Sequence, residues 1–314
     1  MILFGMVLLF MASYFSNKVY KIAAFERIAA ILLPITVGSI VAGLFENSEI
    51  SFGIVIGSNI IYLLVVTGIN MMIDNKYERD NNFIVILNYG IIMMIIILFL
   101  SGDYLLQSSV KINYISKFDG IIIILLNIIF ILYTGYGYIK ENINKLIQKI
   151  KNVVINDKKE ILFVALNIIC NIIGTSVIVN CVIIYSGGIK IRKNIIGLCI
   201  LPIVINVPNI ISIIKYNISK ENKEDKKENQ RENNIKNISN KYIIACILST
   251  LGLGISSIIN NIHITIYNIY DLIYICVSYI IVWGLCKLRK IKTKSIGCIM
   301  VSIFLVYMIN VCIR

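Results

Sequence analysis

Apolar residues in this chain gather into long unbroken runs. They show neither the stripe of an amphipathic helix nor the alternation of a half-buried strand. Ten runs predict helices, at about 1–14, 22–44, 50–73, 83–101, 118–138, 161–185, 194–217, 242–259, 264–286 and 295–313. Helices pair every backbone amide within one segment, as a bilayer demands. Continuous apolarity also excludes a membrane barrel, whose strands alternate lipid-facing and lumen-facing residues. The first run is short for a hydrocarbon core of about 30 Å, which predicts a partial span or a late start.

Composition sharpens this reading. Of 314 residues, 58% are apolar and 15% charged, against about 25% charged in an ordinary soluble domain. The mean hydropathy is +0.84. The net charge of +13 would suggest nucleic acid in a soluble protein, but here its placement follows topology, and no nucleic-acid partner is expected. With the N-terminus outside, the inner connections 15–21, 74–82, 139–160, 218–241 and 287–294 hold 22 Lys and Arg. The outer segments 102–117 and 186–193, with Arg314, hold 6. That bias obeys the positive-inside rule and puts both termini outside. The expected location is the plasma membrane of a prokaryote, with the lipid bilayer as first partner.

The basic segment 139–160 divides the chain into five predicted helices at 1–138 and five at 161–314. The second half carries a polar loop at 218–241 (ISKENKEDKKENQRENNIKNISNK), expected to be a solvated, disordered cytoplasmic segment. An odd number of helices per half inverts the second half in the membrane. All three prolines lie in the second helix of a half: Pro34 in one, Pro202 and Pro208 in the other. Each removes a backbone donor and is expected to loosen its helix. A Gly- and Ser-rich helix follows in both halves, with FGIVIGSNI at 52–60 and ILSTLGLGISS at 247–257.

On these residues the chain resembles the sodium/calcium exchanger family of the cation/calcium exchanger superfamily. ISFGIVIGSNI at 50–60 looks like that family's G-N-x-x-G-S-N motif, following AILLPI at 30–35 in the place of its G-T-S-L-P-E motif. IIGLCILPIVINVPN at 195–209 is similar to the corresponding helix of the second half, and FDGIIIILLNIIFILYTGY at 118–136 to the fifth helix. The resemblance implies an all-α integral membrane fold of about ten transmembrane helices, arranged as two inverted five-helix repeats. It also implies a cation site among the second, third, seventh and eighth helices.

The motif carboxylates that define such a site are replaced. By this resemblance the glutamate positions read Ile35 and Asn209, and the Thr-Ser positions read Ile31, Leu32, Ile205 and Asn206. Two further polar-ligand places read Tyr62 and Gly254, and the family's acidic pair near Ser176 and Asn180 is neutral as well. The expected pathway residues are Pro34, Ile35, Ser58, Asn59, Asn206, Pro208, Asn209 and Thr250. Calcium takes six to eight oxygens, several of them anionic. A neutral site therefore disfavours calcium and leaves a monovalent cation or a small neutral solute as cargo.

The placement of the 17 acidic residues agrees, since only Glu26, Asp119 and Asp271 fall within predicted spans. Asp119 and Asp271 sit near span ends, where a charged group can snorkel towards water. His263 is expected in a short outer connection. Trp283 and Tyr267, Tyr270, Tyr274 and Tyr279 are expected to anchor or pack the ninth helix. Asn167 and Asn171 suggest a hydrogen bond between helices. The eight cysteines show no zinc spacing, and no metal site or cofactor is expected. No Ser-His-Asp set, HExxH or Walker loop occurs, so no enzyme is expected. The leading expectation is a cation antiporter-like carrier of altered specificity. Its alternatives are a transport-inactive membrane scaffold of the same fold and an unrelated amino-acid-carrier-type permease.

Overall fold

The structure, a computed structural model, describes residues 1–16, 18–19, 23–73, 81–102, 113–133, 158–186, 188, 192–221, 244–245, 247–287 and 293–313. The linker 139–160 and the polar loop 218–241 lie outside the described residues, apart from their helical ends at 158–160 and 218–221.

Helix α1 is Ile2–Ser16 and α2 is Ala23–Leu44. Helix α3 spans Ser48–Ile73 with a π-turn at Ile61–Val66. Then come α4 (Asn81–Leu100), strand β1 (Asn113–Ile115) and α5 (117–133). Helix α6 is Lys158–Ser186. Helix α7 starts at Lys193, passes through a π-turn at Ile196–Ile200 and continues as Leu201–Glu221. The chain goes on through α8 (Ile247–Ile259), β2 (Ile262–Ile264), α9 (Ile266–Lys287) and α10 (Thr293–Ile313). Among the described residues, six helices are long and apolar enough to cross a membrane: α3, α4, α6, α7, α9 and α10.

Burial sorts helices that are all apolar. The most apolar stretch of α3 is 89% buried, whereas those of α10 and α6 are only 28% and 33% buried. Every residue from Ile50 to Ile60 is buried. The outer helices instead present Leu3, Phe4, Phe10, Leu132, Leu305 and Ile309 to their surroundings. No polar face is needed on an outer helix that meets lipid tails, so apolarity alone does not tell inside from outside.

Small residues bring the inner helices together. Gly53 and Gly57, four residues apart, lie against the backbone of Gly197 and Leu198, so that a Cβ at position 53 would come 2.5 Å from the Gly197 carbonyl carbon. Close backbone approach through small residues at i and i+4 is the usual way membrane helices associate. Helix α8 meets α2 in the same manner, with Gly252 against Thr36 and Gly43 against Ser256. Further out, α1 runs antiparallel to α6, with Gly5 against Gly174 and Phe15 stacked on Phe163 at 6.1 Å. Helix α4 meets α9 where Gly90 faces the Tyr279 ring.

The prolines do not interrupt their helices. Pro34 and Pro208 sit inside continuous α2 and α7. Among the described residues the irregular turns are the two π-segments, and Pro202 lies two residues beyond the end of the second. The strands were also not anticipated: β1 and β2 pair antiparallel, with Tyr114 opposite His263. His263 is thus an exposed strand residue. On the same face Lys193 Nζ donates to Asn47 Oδ1 at 3.0 Å. The connections α2–α3, α4–α5, α6–α7 and α8–α9 therefore share one end of the bundle, and these are the connections poor in Lys and Arg.

Local chemistry closes several ends. At the start of α5, Asp119 Oδ2 accepts from the Ser116 backbone N–H at 2.8 Å and from its hydroxyl at 2.7 Å. The Ser116 hydroxyl accepts in return from the Asp119 N–H at 3.3 Å. This reciprocal capping box gives Asp119 a structural task. Helix α2 ends in a Schellman turn, with Asn47 N–H bonded to Ala42 O, Glu46 N–H bonded to Gly43 O, and Glu46 left-handed at φ 57°.

Candidate functional site in the bundle centre

Helix α3 carries Ser58, Asn59 and Tyr62 on neighbouring turns, and each is fully buried. From α7, Asn206 Nδ2 donates to Ser58 Oγ at 2.9 Å and to Pro202 O at 2.7 Å. Its Oδ1 accepts from the Tyr62 hydroxyl at 3.1 Å. Asn59 turns towards α8, where its Nδ2 donates to Ser249 Oγ at 2.9 Å and also to Val55 O. The Asn59 Oδ1 atom, buried in the same place, accepts no hydrogen bond among the described residues. A buried amide oxygen without a donor is costly. It is the one open acceptor in this cluster.

A second polar group joins α2, α3 and α8 nearer the β1–β2 face. Ser51 Oγ lies 2.8 Å from Ser39 Oγ and 2.7 Å from Ser256 Oγ, and both the Ser51 and Ser256 hydroxyls reach the Ser39 carbonyl. Polar groups thus run along the seam where α2, α3, α7 and α8 meet. All are neutral. Among the described residues no three His, Cys, Asp or Glu side chains come together as a metal cluster.

The expected pathway residues divide. Ser58, Asn59 and Asn206 meet in the central cluster. Asn209 lies at its edge, donating to Ala30 O of α2 at 2.9 Å. Pro208 is tied to α1, since its carbonyl accepts from Ser13 Oγ at 3.3 Å. Thr250 turns away from α3 and meets Asn127 of α5, whose Nδ2 donates to Thr250 Oγ1 at 2.9 Å. Gly254 packs against the Gly120 backbone of α5. Pro34 and Ile35 are buried in α2, Ile35 completely.

Sequence reasoning missed Ser249, Asn127 and the Ser39–Ser51–Ser256 group. Their only signal was a small polar residue in an apolar run, which does not say which neighbour it faces. Asn167 and Asn171 bond to each other within α6, with Nδ2 of Asn171 donating to Asn167 Oδ1 at 2.6 Å. The side chains of Glu26 and Arg27 lie outside the described residues. Asp271 is fully buried and does not snorkel from the helix end; the Tyr307 hydroxyl of α10 donates to its Oδ1 at 3.3 Å.

Apolar spans, close helix crossings through glycine and a polar seam inside the bundle define an integral membrane protein of the helical-bundle class. No known protein family and no curated protein matches the chain by sequence. Solved structures match its fold. The sodium-calcium exchanger NCX_Mj soaked with 2.5 mM Na+ and 10 mM Sr2+ aligns with a TM-score of 0.60 at 16% identity, over 98% of this chain and 96% of that one. The same exchanger soaked with 2.5 mM Na+ and 0.1 mM Ca2+ aligns at 0.59 and 16%, over 98% and 95%. The chain has the fold of these exchanger structures.

Proposed function

We propose that the protein is a cation antiporter-like carrier with two inverted five-helix repeats, 1–138 and 161–314, whose central site takes a monovalent cation or small neutral solute. The contacts of α1 with α6 and of α4 with α9 support the repeat, because each joins helices of the same rank in the two halves. The observation that carries the function is the neutral cluster of Ser58, Asn59, Tyr62, Asn206 and Ser249 at the meeting of α3, α7 and α8. Amide and hydroxyl oxygens can replace part of the water around a singly charged ion. They do not offset the dehydration of a divalent one.

Flux in proteoliposomes tests this reading. Purified protein is loaded in turn with labelled sodium, rubidium and calcium against opposing gradients, with empty liposomes as control. Saturable monovalent exchange without calcium movement is the expected result. Calcium exchange would overturn the altered specificity.

A second reading is a transport-inactive membrane subunit. It is favoured by Asn206, which spends both amide hydrogens and its oxygen on Ser58, Pro202 and Tyr62. Absence of flux from folded protein, with a stoichiometric partner in pull-downs, is its expected result.

A further inference from the structure

Asp271 is a fully buried carboxylate that the neutral central site does not use. It lies in the second turn of α9, about 8 Å along the helix from its start at Ile266 at 1.5 Å per residue. A charged group at such a place in a membrane helix points to a task by default.

A vestibule of about 480 Å³ opens above it on the β1–β2 face of the bundle. Glu49, Arg192, Lys193, Leu198, Tyr267 and Val311 line it. Three of these place the vestibule over the carboxylate. Tyr267 is one turn above Asp271 on α9, Val311 is one turn above Tyr307 on α10, and Leu198 adjoins Cys199 in the π-turn of α7. Cys199 in turn lies within electrostatic range of Asp271 and Cys312. The open cavity thus ends about one helical turn above the Asp271–Tyr307 hydrogen bond.

We propose that Asp271 is a proton-binding site, filled and emptied from the β1–β2 face through this vestibule, and that it is the coupling site of the carrier. The coupling half rests on the carrier reading above; the proton-binding half does not. A carboxylate and a phenol suit a proton, which needs one oxygen, better than a metal cation, which needs a shell of them. The step balances: the carboxylate takes a proton from a hydronium ion in the vestibule, leaving water, and release reverses this.

Several titratable and charged groups among the described residues surround Asp271. Helix α10 contributes Tyr307 and Cys312, and α7 contributes Cys199, with Arg192 and Lys193 at the rim. Helix α3 contributes Glu49 at the rim, and α9 itself contributes Tyr267 and Tyr274, whose ring lies 4.7 Å from that of Tyr307. Tyr89, the titratable residue of α4, donates to Leu126 of α5. The link to the central site is α7, because the π-turn holding Cys199 runs into Pro202 and then Asn206, whose amide bonds to the Pro202 carbonyl.

Infrared spectroscopy of the reconstituted full chain tests the proton site. The expected result is a protonated-carboxyl stretch that appears on acidification, disappears reversibly on raising the pH, and is lost in Asp271→Asn. Tyr307→Phe keeps the band but moves it to higher frequency, because the carboxyl loses a hydrogen bond. Val311→Trp, which fills the vestibule, slows exchange of the band in heavy water. Full amplitude in Asp271→Asn, or an unshifted band in Tyr307→Phe, would overturn the site, and unchanged exchange in Val311→Trp would overturn the access route.

Flux then addresses coupling. Wild-type liposomes should move protons against a monovalent cation, and Asp271→Asn should move the cation without protons. A titrating band that vanishes in Asp271→Asn while no ion moves would uphold the proton site and sink the carrier reading. Cation flux with equal proton counterflow in wild type and Asp271→Asn would overturn the coupling.

Discussion

Two residues show how a single position answers to its surroundings. Glu46 closes α2 in the left-handed region, which costs an L-residue about 1–2 kcal/mol. Glu46→Gly is therefore expected to stabilise the protein by about 1 kcal/mol, seen as a higher unfolding temperature in detergent. Asn206 is the opposite case. Asn206→Leu strips partners from buried Ser58 and Tyr62 and is expected to destabilise by about 2 kcal/mol. Under the carrier reading it also abolishes monovalent flux, whereas an unchanged flux would support the inactive subunit. That Ser58, Asn59 and Asn206 are polar within apolar runs was legible in the sequence. Their joining, and the turning of Thr250 towards Asn127, was not, because the helical period alone does not say which helix each face meets.

At the scale of elements, the described helices overlap the predicted apolar runs, because a run long enough to cross a bilayer has no competing structure to adopt. The capping box at the start of α5 came from the structure. Ser116→Ala is expected to cost about 1 kcal/mol through loss of the α5 capping box, measurable as a lower unfolding temperature. The crossing of α3 and α7 depends on Gly53. Gly53→Leu places a side chain where the Gly197 backbone lies, with an expected cost of about 3 kcal/mol and loss of the monodisperse peak in size-exclusion chromatography. The π-turns and the β1–β2 pair were not legible. A three-residue strand has too short a pattern to read, and each strand finds its partner in a loop about 150 residues away.

For the whole molecule, the charge bias of the connections predicts a vectorial arrangement. The structure supplies half of it by gathering the Lys- and Arg-poor connections at one end. In intact cells, His263→Cys is expected to react with an impermeant thiol reagent, and Lys227→Cys to react only after permeabilisation. The reverse pattern would invert the proposed orientation. Exposed Cys298 and Cys312 are replaced by serine in both variants.

By itself the sequence determined that the chain enters a membrane and roughly where its helices lie. These follow from hydropathy, charge and residue identity, which are local quantities. Tertiary structure alone decided that α3 is the buried axis while equally apolar α6 and α10 lie outside. It also joined Asn59 to Ser249 and carried Asp271 into the interior beneath a vestibule. The physical reason is that lipid and protein interior are both apolar. Hydrophobicity drives a helix into the bilayer but does not choose its neighbours, and that choice falls to glycine contacts and hydrogen bonds between residues distant in the chain.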